Sequence, residues 1–199
     1  ILKKMKINKN IKIKFFNIYF FIIIIYFYKL VLIYFFGSNI PYWDQWDAEA
    51  WYLYKPYIEG KLRFSDLFSA HNEHRIFFSR IIFLTIYEIT NGWYPILQMM
   101  INGLIHIFAL IIFTGLITNN QKEIKHLIFF LLILYIFPFS YGNTLFGFQS
   151  QFYLVILFSL ISLNILLKES INIRKEIIGF GLIILTFFTS ASGVLTTLS

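Results

Sequence analysis

The sequence contains no cysteine and few charged residues for its length. Because none of its 199 residues is a cysteine, it has no disulfide, no thiolate nucleophile and no cysteine metal ligand. Charged residues make up 14%, whereas about a quarter is usual in soluble domains. Hydrophobic residues make up 58%, the mean hydropathy is +0.70, and the apolar residues form long runs. These features exclude an ordinary soluble domain and predict an all-α, polytopic bundle of transmembrane helices.

The net charge of +7 does not indicate nucleic-acid binding. Many of the basic residues directly precede the first apolar run: Lys3, Lys4, Lys6, Lys9, Lys12 and Lys14. This is the position of a cytoplasmic flank that faces anionic lipid. We therefore predict a membrane-lipid partner, a cytoplasmic N-terminus and no nucleic-acid partner.

Six apolar runs divide the chain: 15–36, 76–89, 95–117, 127–139, 152–167 and 177–195. The first run is long enough to cross a bilayer and lacks a following cleavage site, so it is predicted to be an uncleaved span. Lys29, near its outer end, is expected to extend towards the headgroups. The chain begins at Ile1 and stops just after an apolar run, so we expect it to be the N-terminal part of a longer protein.

The run 76–89 decides the topology. If it lies in the membrane interface, the later basic connectors, with Lys122, Lys125, Lys168, Arg174 and Lys175, join the N-terminus on the cytoplasmic side. The prediction is a single membrane domain, 1–199, with about five spans. Its parts are a first span (15–36), an outer loop with interfacial helices (37–94) and the remaining spans (95–199). The outer loop and the connector 141–151 then share the outer side.

The outer loop contains most of the chemically versatile side chains. It begins with the string Trp43-Asp44-Gln45-Trp46-Asp47-Ala48-Glu49. Asp44 is either the cap of a helix beginning at Gln45 or a functional acid, and Asp47 is the stronger functional candidate, since a helix needs one cap. Glu49 is expected to be solvated. Gly60 is expected to end this helical segment, and Ser65 to cap a turn at 66–68.

Further candidates follow in the loop and in the connector. His71 and His74 are three residues apart beside Glu73, and they form either a shared site or ordinary interfacial polar groups. If the next helix has already begun there, both rings point the same way. Two arginines, Arg75 and Arg80, either extend to headgroups or bind the phosphate of a lipid ligand. The connector amides, Gln149 and Gln151, either bind sugar hydroxyls or belong to a plain polar hairpin.

A divalent cation such as Mg²⁺ or Mn²⁺ is a further hypothesis, with Asp44, Asp47 and His71 as ligands. Zinc hydrolysis is weakly supported, because the string is His-Asn-Glu-His and not H-E-x-x-H. In the last run, the small residues of 189–193 are expected to allow close helix packing.

Together these segments resemble the C-type (GT-C) membrane glycosyltransferases. The motifs are Asp47-Ala48-Glu49 early in the outer loop, Gly60 through Asp66-Leu67-Phe68 to His71, and Gly147-Phe148-Gln149-Ser150-Gln151-Phe152. With His71-Asn72-Glu73-His74-Arg75, they are similar to a set of uncharacterised bacterial membrane proteins related to that group. The resemblance covers most of the chain and the N-terminal half of such enzymes.

The resemblance implies a GT-C-like bundle in the bacterial cytoplasmic membrane, a polyprenyl-phosphate sugar donor, and Asp47 as catalytic base. The acceptor, a glycan, lipid or protein, stays open, and Asp44 has no clear counterpart. Many relatives carry an acid in the second loop, but 149–151 has none, which disfavours a two-carboxylate or metal-bridged site. Two alternatives remain. A transporter or flippase would line a path through its spans with charges, and an assembly subunit would need none of the loop acids.

Overall fold

The computed structural model describes residues 9–117, 121–137, 141–167 and 172–193. Within these ranges the chain is helical and contains no strand, so the predicted all-α class is confirmed there. The α-helices are α1 (Lys9–Phe36), α2 (Lys55–Ile58), α3 (Phe77–Thr90), α4 (Pro95–Ile117), α5 (Gln121–Ile136), α6 (Tyr141–Thr144), α7 (Ser150–Leu166) and α8 (Ile173–Phe187). A π-helix occupies Gln45–Tyr54, and 3-10 helices occupy Phe64–Phe68 and Gly147–Gln149. Of the predicted cytoplasmic lysines, Lys3, Lys4, Lys6 and Lys168 lie outside the described residues.

Three segments in the described part of the chain are long and apolar enough to cross a membrane: Tyr19–Phe36, Pro95–Ile117 and Gly147–Leu166. The prediction of about five spans is therefore not confirmed. At 1.5 Å per residue, the 16 residues of α5 and the 15 of α8 reach about 24 Å, short of a hydrocarbon core of about 30 Å. With 14 residues, α3 is shorter still.

The long helices pack around α4, which contacts α1 and α7, while α8 packs on α7. Between α1, α4 and α5 lies a buried apolar cluster: Ile22, Ile25, Ile107, Leu110, Leu127 and Leu131. Lys29 does not extend to the headgroups as predicted. It faces inward with only 3% of its surface exposed, because its ammonium group finds a hydroxyl and two aromatic rings inside the bundle.

A second apolar core lies under the loop 37–94. It joins the π-helix, the first 3-10 helix, α3 and the connector after α6, through Ala48, Leu53, Tyr54, Leu67, Ile76, Phe83, Phe146 and Phe148. The loop is therefore a packed unit with its own hydrophobic interior. The candidate site lies on this unit, at the end of the long helices where the connector meets the loop.

The loop's local structure follows the sequence only in part. The π-helix continues into α2, and Gly60 follows with φ of +67°, so the predicted glycine terminus is confirmed. Asp44 occupies the N-cap position of the π-helix, but its side chain makes no capping hydrogen bond. The prediction for Ser65 is wrong, since the 3-10 helix begins after Arg63 and is capped by Asp66, whose Oδ2 accepts from the Arg63 backbone N–H at 3.0 Å.

Candidate functional site

The π-helix places its two central acids in opposite environments. The Asp47 side chain is 60% exposed, whereas Glu49, two residues later, is completely buried. The expectation that Glu49 is solvated is therefore wrong, because its side of the helix faces the apolar core under the loop. A single π-helix therefore presents one carboxylate to water and one to the protein interior.

Asp47 lies next to His71. The distance from Asp47 Oδ2 to His71 Nδ1 is 3.8 Å, and His71 is only 5% exposed. Its other ring nitrogen, Nε2, is buried without a hydrogen-bond partner. A buried polar atom without a partner costs free energy, so it marks a place where a ligand or a water molecule would be stabilised.

The two histidines are not on a helix, so the condition under which both rings would point the same way is not met. His71 and His74 face each other in a tight turn, with backbone hydrogen bonds of 2.8 and 2.9 Å in both directions, and Asn72 adopts φ of +50°. The next helix begins only at Phe77. A turn of this kind holds the two rings at fixed but separate positions, so only His71 joins Asp47.

His74 connects the loop to the segment after α8. Its Nδ1 accepts a hydrogen bond from the Ala191 backbone N–H at 3.1 Å and lies 3.3 Å from Ser190 Oγ. Its Nε2 lies 3.4 Å from Glu73 Oε1. Because Nδ1 is an acceptor, the neutral ring carries its proton on Nε2. The small residues 189–193, predicted to pack between helices, instead form turns against His74.

The connector packs on the outer loop at the same end of the bundle. The Phe148 ring lies edge-on to the His71 ring, with 5.4 Å between centroids, and Phe152 contacts His74 in the same way at 6.3 Å. The side-chain carbonyl oxygens of Gln149 and Gln151 are buried without partners. The residues Phe148 and Phe152, on either side of these two amides, bring the connector to the loop histidines, and both amides retain an unused acceptor.

At Gly147 the connector backbone lies close to side chains of α4 and of the π-helix. A Cβ there would overlap Gln98 Oε1 and lie 3.1 Å from Gln45 Nε2, and the Gly147 carbonyl accepts from Asn102 Nδ2 at 2.8 Å.

We expect Gly147→Ala to lower the free energy of unfolding by about 1–3 kcal/mol through overpacking. Unfolding in detergent measures the effect. Gly142→Ala is the matched control, because nothing lies within 4 Å of its Cβ, and an equal loss in both variants would contradict the prediction.

A buried polar network surrounds Glu49. Gln45 Nε2 donates to Oε1 at 3.2 Å, while Oε2 accepts from Gln98 Nε2 at 2.5 Å and from Trp93 Nε1 at 2.8 Å. Tyr54 Oη lies 3.4 Å from Oε2. Burial raises the pKa of Glu49 to about 7 although these donors act in the opposite direction. Burial also raises the pKa of Tyr54 well above its usual range.

This shift predicts a pH dependence of stability. Between the ordinary pKa of 4.5 and about 7, the folded state holds the Glu49 proton and the unfolded state does not. The free energy of unfolding therefore falls as pH rises through this window, by about 3 kcal/mol from this group. Comparing unfolding at pH 5 and pH 8 measures it, and Glu49→Gln should lose this contribution. An identical pH slope in the variant would count against the prediction.

The two arginines occupy different environments. Arg80 is 1% exposed, and its Nη1 donates to the backbone carbonyls of Asp66, Leu67 and Ser69 at 3.1, 3.0 and 2.6 Å. The prediction that Arg80 lies at the surface and binds phosphate is therefore wrong, because its guanidinium closes the end of the 3-10 helix. Arg75 is exposed and uses Nη1 on the Phe68 carbonyl at 2.9 Å, so its other N–H groups face water.

The predicted metal ligands do not come together. Asp47 and His71 are neighbours, but no group of three histidine, aspartate or glutamate side chains that could hold a metal ion occurs in the described ranges. Asp44 therefore does not complete a site with them. Of the two neighbours, only Asp47 offers oxygen, the ligand atom that Mg²⁺ prefers.

The polar side chains that bind Glu49 were not predicted from the sequence. Gln98 and Asn102 are the informative residues, since both are polar, lie in the span α4 and are 1% exposed. A buried amide in an apolar run needs a partner from another segment, and this signal would have drawn attention to Glu49.

The fold and the site define a helical membrane protein in which the packed loop 37–94, with the polar side chains of the site, lies at one end of the membrane-length helices. Comparison of the chain with protein-family models, with curated proteins and with solved structures finds no match. The geometry of the site is therefore the basis for inferring a function.

Proposed function

We propose that the protein transfers a sugar from a polyprenyl-phosphate donor to an acceptor hydroxyl at the outer face of the bacterial cytoplasmic membrane. The observation that carries the proposal is the exposed Asp47 carboxylate, 3.8 Å from the buried His71 ring. The carboxylate faces water, and the histidine beside it has an unpaired ring nitrogen. Both lie at the end of membrane-length helices, where a donor in the lipid can meet an acceptor in water.

In the proposed reaction Asp47 acts as general base. Its carboxylate accepts the proton of the acceptor hydroxyl as that oxygen forms a bond to the anomeric carbon. The bond from this carbon to the phosphate oxygen breaks, and polyprenyl phosphate leaves with the bonding electrons, so the configuration is inverted. The phosphate is already a good leaving group, and the main requirement is therefore an ionised, correctly placed base.

The neighbouring residues suggest supporting roles. Arg75 is the arginine suited to the donor phosphate, because it is exposed and uses one N–H group on backbone. The unpaired carbonyl oxygens of Gln149 and Gln151 would accept hydrogen bonds from sugar hydroxyls. The His71 ring would limit the positions open to the Asp47 carboxylate, and His74 would hold the turn through the hydrogen bond that it accepts from the Ala191 N–H.

The proposal includes a topology with five spans. In addition to the three membrane-length helices, α5 and α8 would cross, while α3 would lie in the interface. This arrangement is supported by the charges, because it puts the N-terminal lysines, Lys122, Lys125, Arg174 and Lys175 on the cytoplasmic side.

The function is tested by measuring transfer of a labelled sugar from polyprenyl-phosphate donors in vesicles that contain the protein. We expect alanine at the four positions Asp44, Asp47, His71 and His74 to reduce transfer by at least about 100-fold, since the base is removed. Glu59→Ala, which removes an exposed acid elsewhere in the loop, serves as the control and should transfer normally. A fourfold variant that folds and transfers at the unmutated rate would support a non-catalytic assembly subunit instead.

A further inference from the structure

Lys29 is a buried cation in the middle of the helix bundle. It lies in the membrane-length segment Tyr19–Phe36 and is 3% exposed. Its Nζ donates to Thr144 Oγ1 at 3.1 Å and lies 5.6 Å from the Tyr153 ring centroid and 5.9 Å from that of Tyr135. An ammonium group has three N–H donors, so one hydroxyl and two ring faces leave it incompletely paired.

Among the described residues, no acidic side chain compensates this charge. The sequence has ten acids, and none occurs in α1, α4, α6 or α7. In α5 the acid is Glu123, near the helix start and about 18 Å along the axis from Tyr135. Among the ion pairs of the described ranges, none includes Lys29. A charge inside a span is costly unless paired, so its counter-ion should come from a ligand.

A small cavity lies beside this ammonium. It has a volume of about 10 Å³, enough for one water-sized atom, and is lined by Lys29, Leu32, Tyr135, Tyr141, Thr144 and two further aromatic residues. Its rim includes the exposed side chains of Phe137 (53%) and Tyr141 (63%). Exposed aromatic side chains next to membrane-length helices are typical of the headgroup level, where the phosphates of lipids lie.

We propose that Lys29 binds the headgroup phosphate of an anionic phospholipid, with one phosphate oxygen entering this cavity. The oxygen would accept from Lys29 Nζ and bring the negative charge that the helices around Lys29 do not provide. The site does not depend on glycosyl transfer. Lys29 contacts the connector at Thr144, whereas Asp47 and His71 contact each other in the outer loop.

Native mass spectrometry of the purified, delipidated full-length protein tests the proposal, with phosphatidylglycerol, phosphatidylcholine or inorganic phosphate added. We expect phosphatidylglycerol to bind at least about tenfold more tightly than phosphatidylcholine, which has the same phosphodiester but no net charge. Lys29→Met should lose about tenfold of that affinity, and Lys29→Arg should retain it. Lys61→Met removes an exposed lysine and should behave as the unmutated protein.

Two results would overturn the proposal. The first is undiminished phosphatidylglycerol binding by Lys29→Met. The second is inorganic phosphate that binds at Lys29 as tightly as the lipid, which would assign the cavity to a free anion. If Lys29→Met does not fold, the proposal is tested by comparing phosphatidylglycerol with phosphatidylcholine binding in the unmutated protein and in Lys29→Arg. Equal binding of the two phospholipids would contradict it.

Discussion

Replacing Arg80 by methionine is expected to lower the free energy of unfolding by about 3 kcal/mol or more. The guanidinium is buried, and a single nitrogen donates to three backbone carbonyls at the end of the 3-10 helix Phe64–Phe68. Methionine fills a similar volume but donates nothing, so the carbonyls of Leu67 and Ser69 lose this donor, whereas that of Asp66 keeps its bonds from Ser69. Because the same segment leads to His71, its loss should also loosen the Asp47–His71 pair.

Arg75→Met is the matched control for Arg80→Met. Arg75 is also an arginine with a backbone carbonyl partner, but it is exposed, so water replaces the lost hydrogen bond and the change should cost less than about 1 kcal/mol. Chemical unfolding in detergent, followed by tryptophan fluorescence, measures both variants. Equal stabilities of the two variants would contradict a structural role for Arg80.

The helical class and the contact between the outer loop and the connector were predictable from the sequence. Long apolar runs predicted α1, α4 and α7, because only helices satisfy backbone groups in lipid. The clustering of acids and histidines indicated the outer loop, and the short connector was expected on the same side. Both segments do meet, through Phe148 on His71.

The environment of individual polar residues was less predictable. Glu49, Lys29 and Arg80 were all expected to meet water or headgroups, yet each is at most 3% exposed. Each is buried because partners arrive from distant segments: Gln98 for Glu49, Thr144 for Lys29, and backbone carbonyls for Arg80. Local sequence patterns can indicate that a polar residue in an apolar run needs a partner, but they do not say which distant residue that partner is.

The turn that contains His71 and His74 was also not predicted from the local sequence pattern. A spacing of three residues suits one face of a helix, and the sequence therefore suggested that both rings converge. Instead, Asn72 adopts a left-handed conformation, and His71 and His74 pair through their backbones. Asparagine tolerates positive φ better than most residues, and this was the available signal for a turn.

Replacing Asp47 by asparagine is expected to reduce sugar transfer by about 100- to 10,000-fold, the range that general-base catalysis contributes. Asparagine keeps the shape of the side chain but does not accept the acceptor's proton. Since the Asp47 side chain is 60% exposed and makes no short hydrogen bond, folding should be unaffected. The loss should appear in the rate of the chemical step and not in the binding of the donor.

The central claim, that Asp47 is the base, is tested most directly by single-turnover sugar transfer in reconstituted vesicles. The assay compares the unmutated protein with Asp47→Asn and with Asp44→Asn, which removes the same group three residues earlier. We expect Asp47→Asn to lose at least about 100-fold, and Asp44→Asn to stay within a few-fold of the unmutated rate, since in the described part of the chain the acid paired with His71 is Asp47. Unmutated transfer by a folded Asp47→Asn variant would contradict the account.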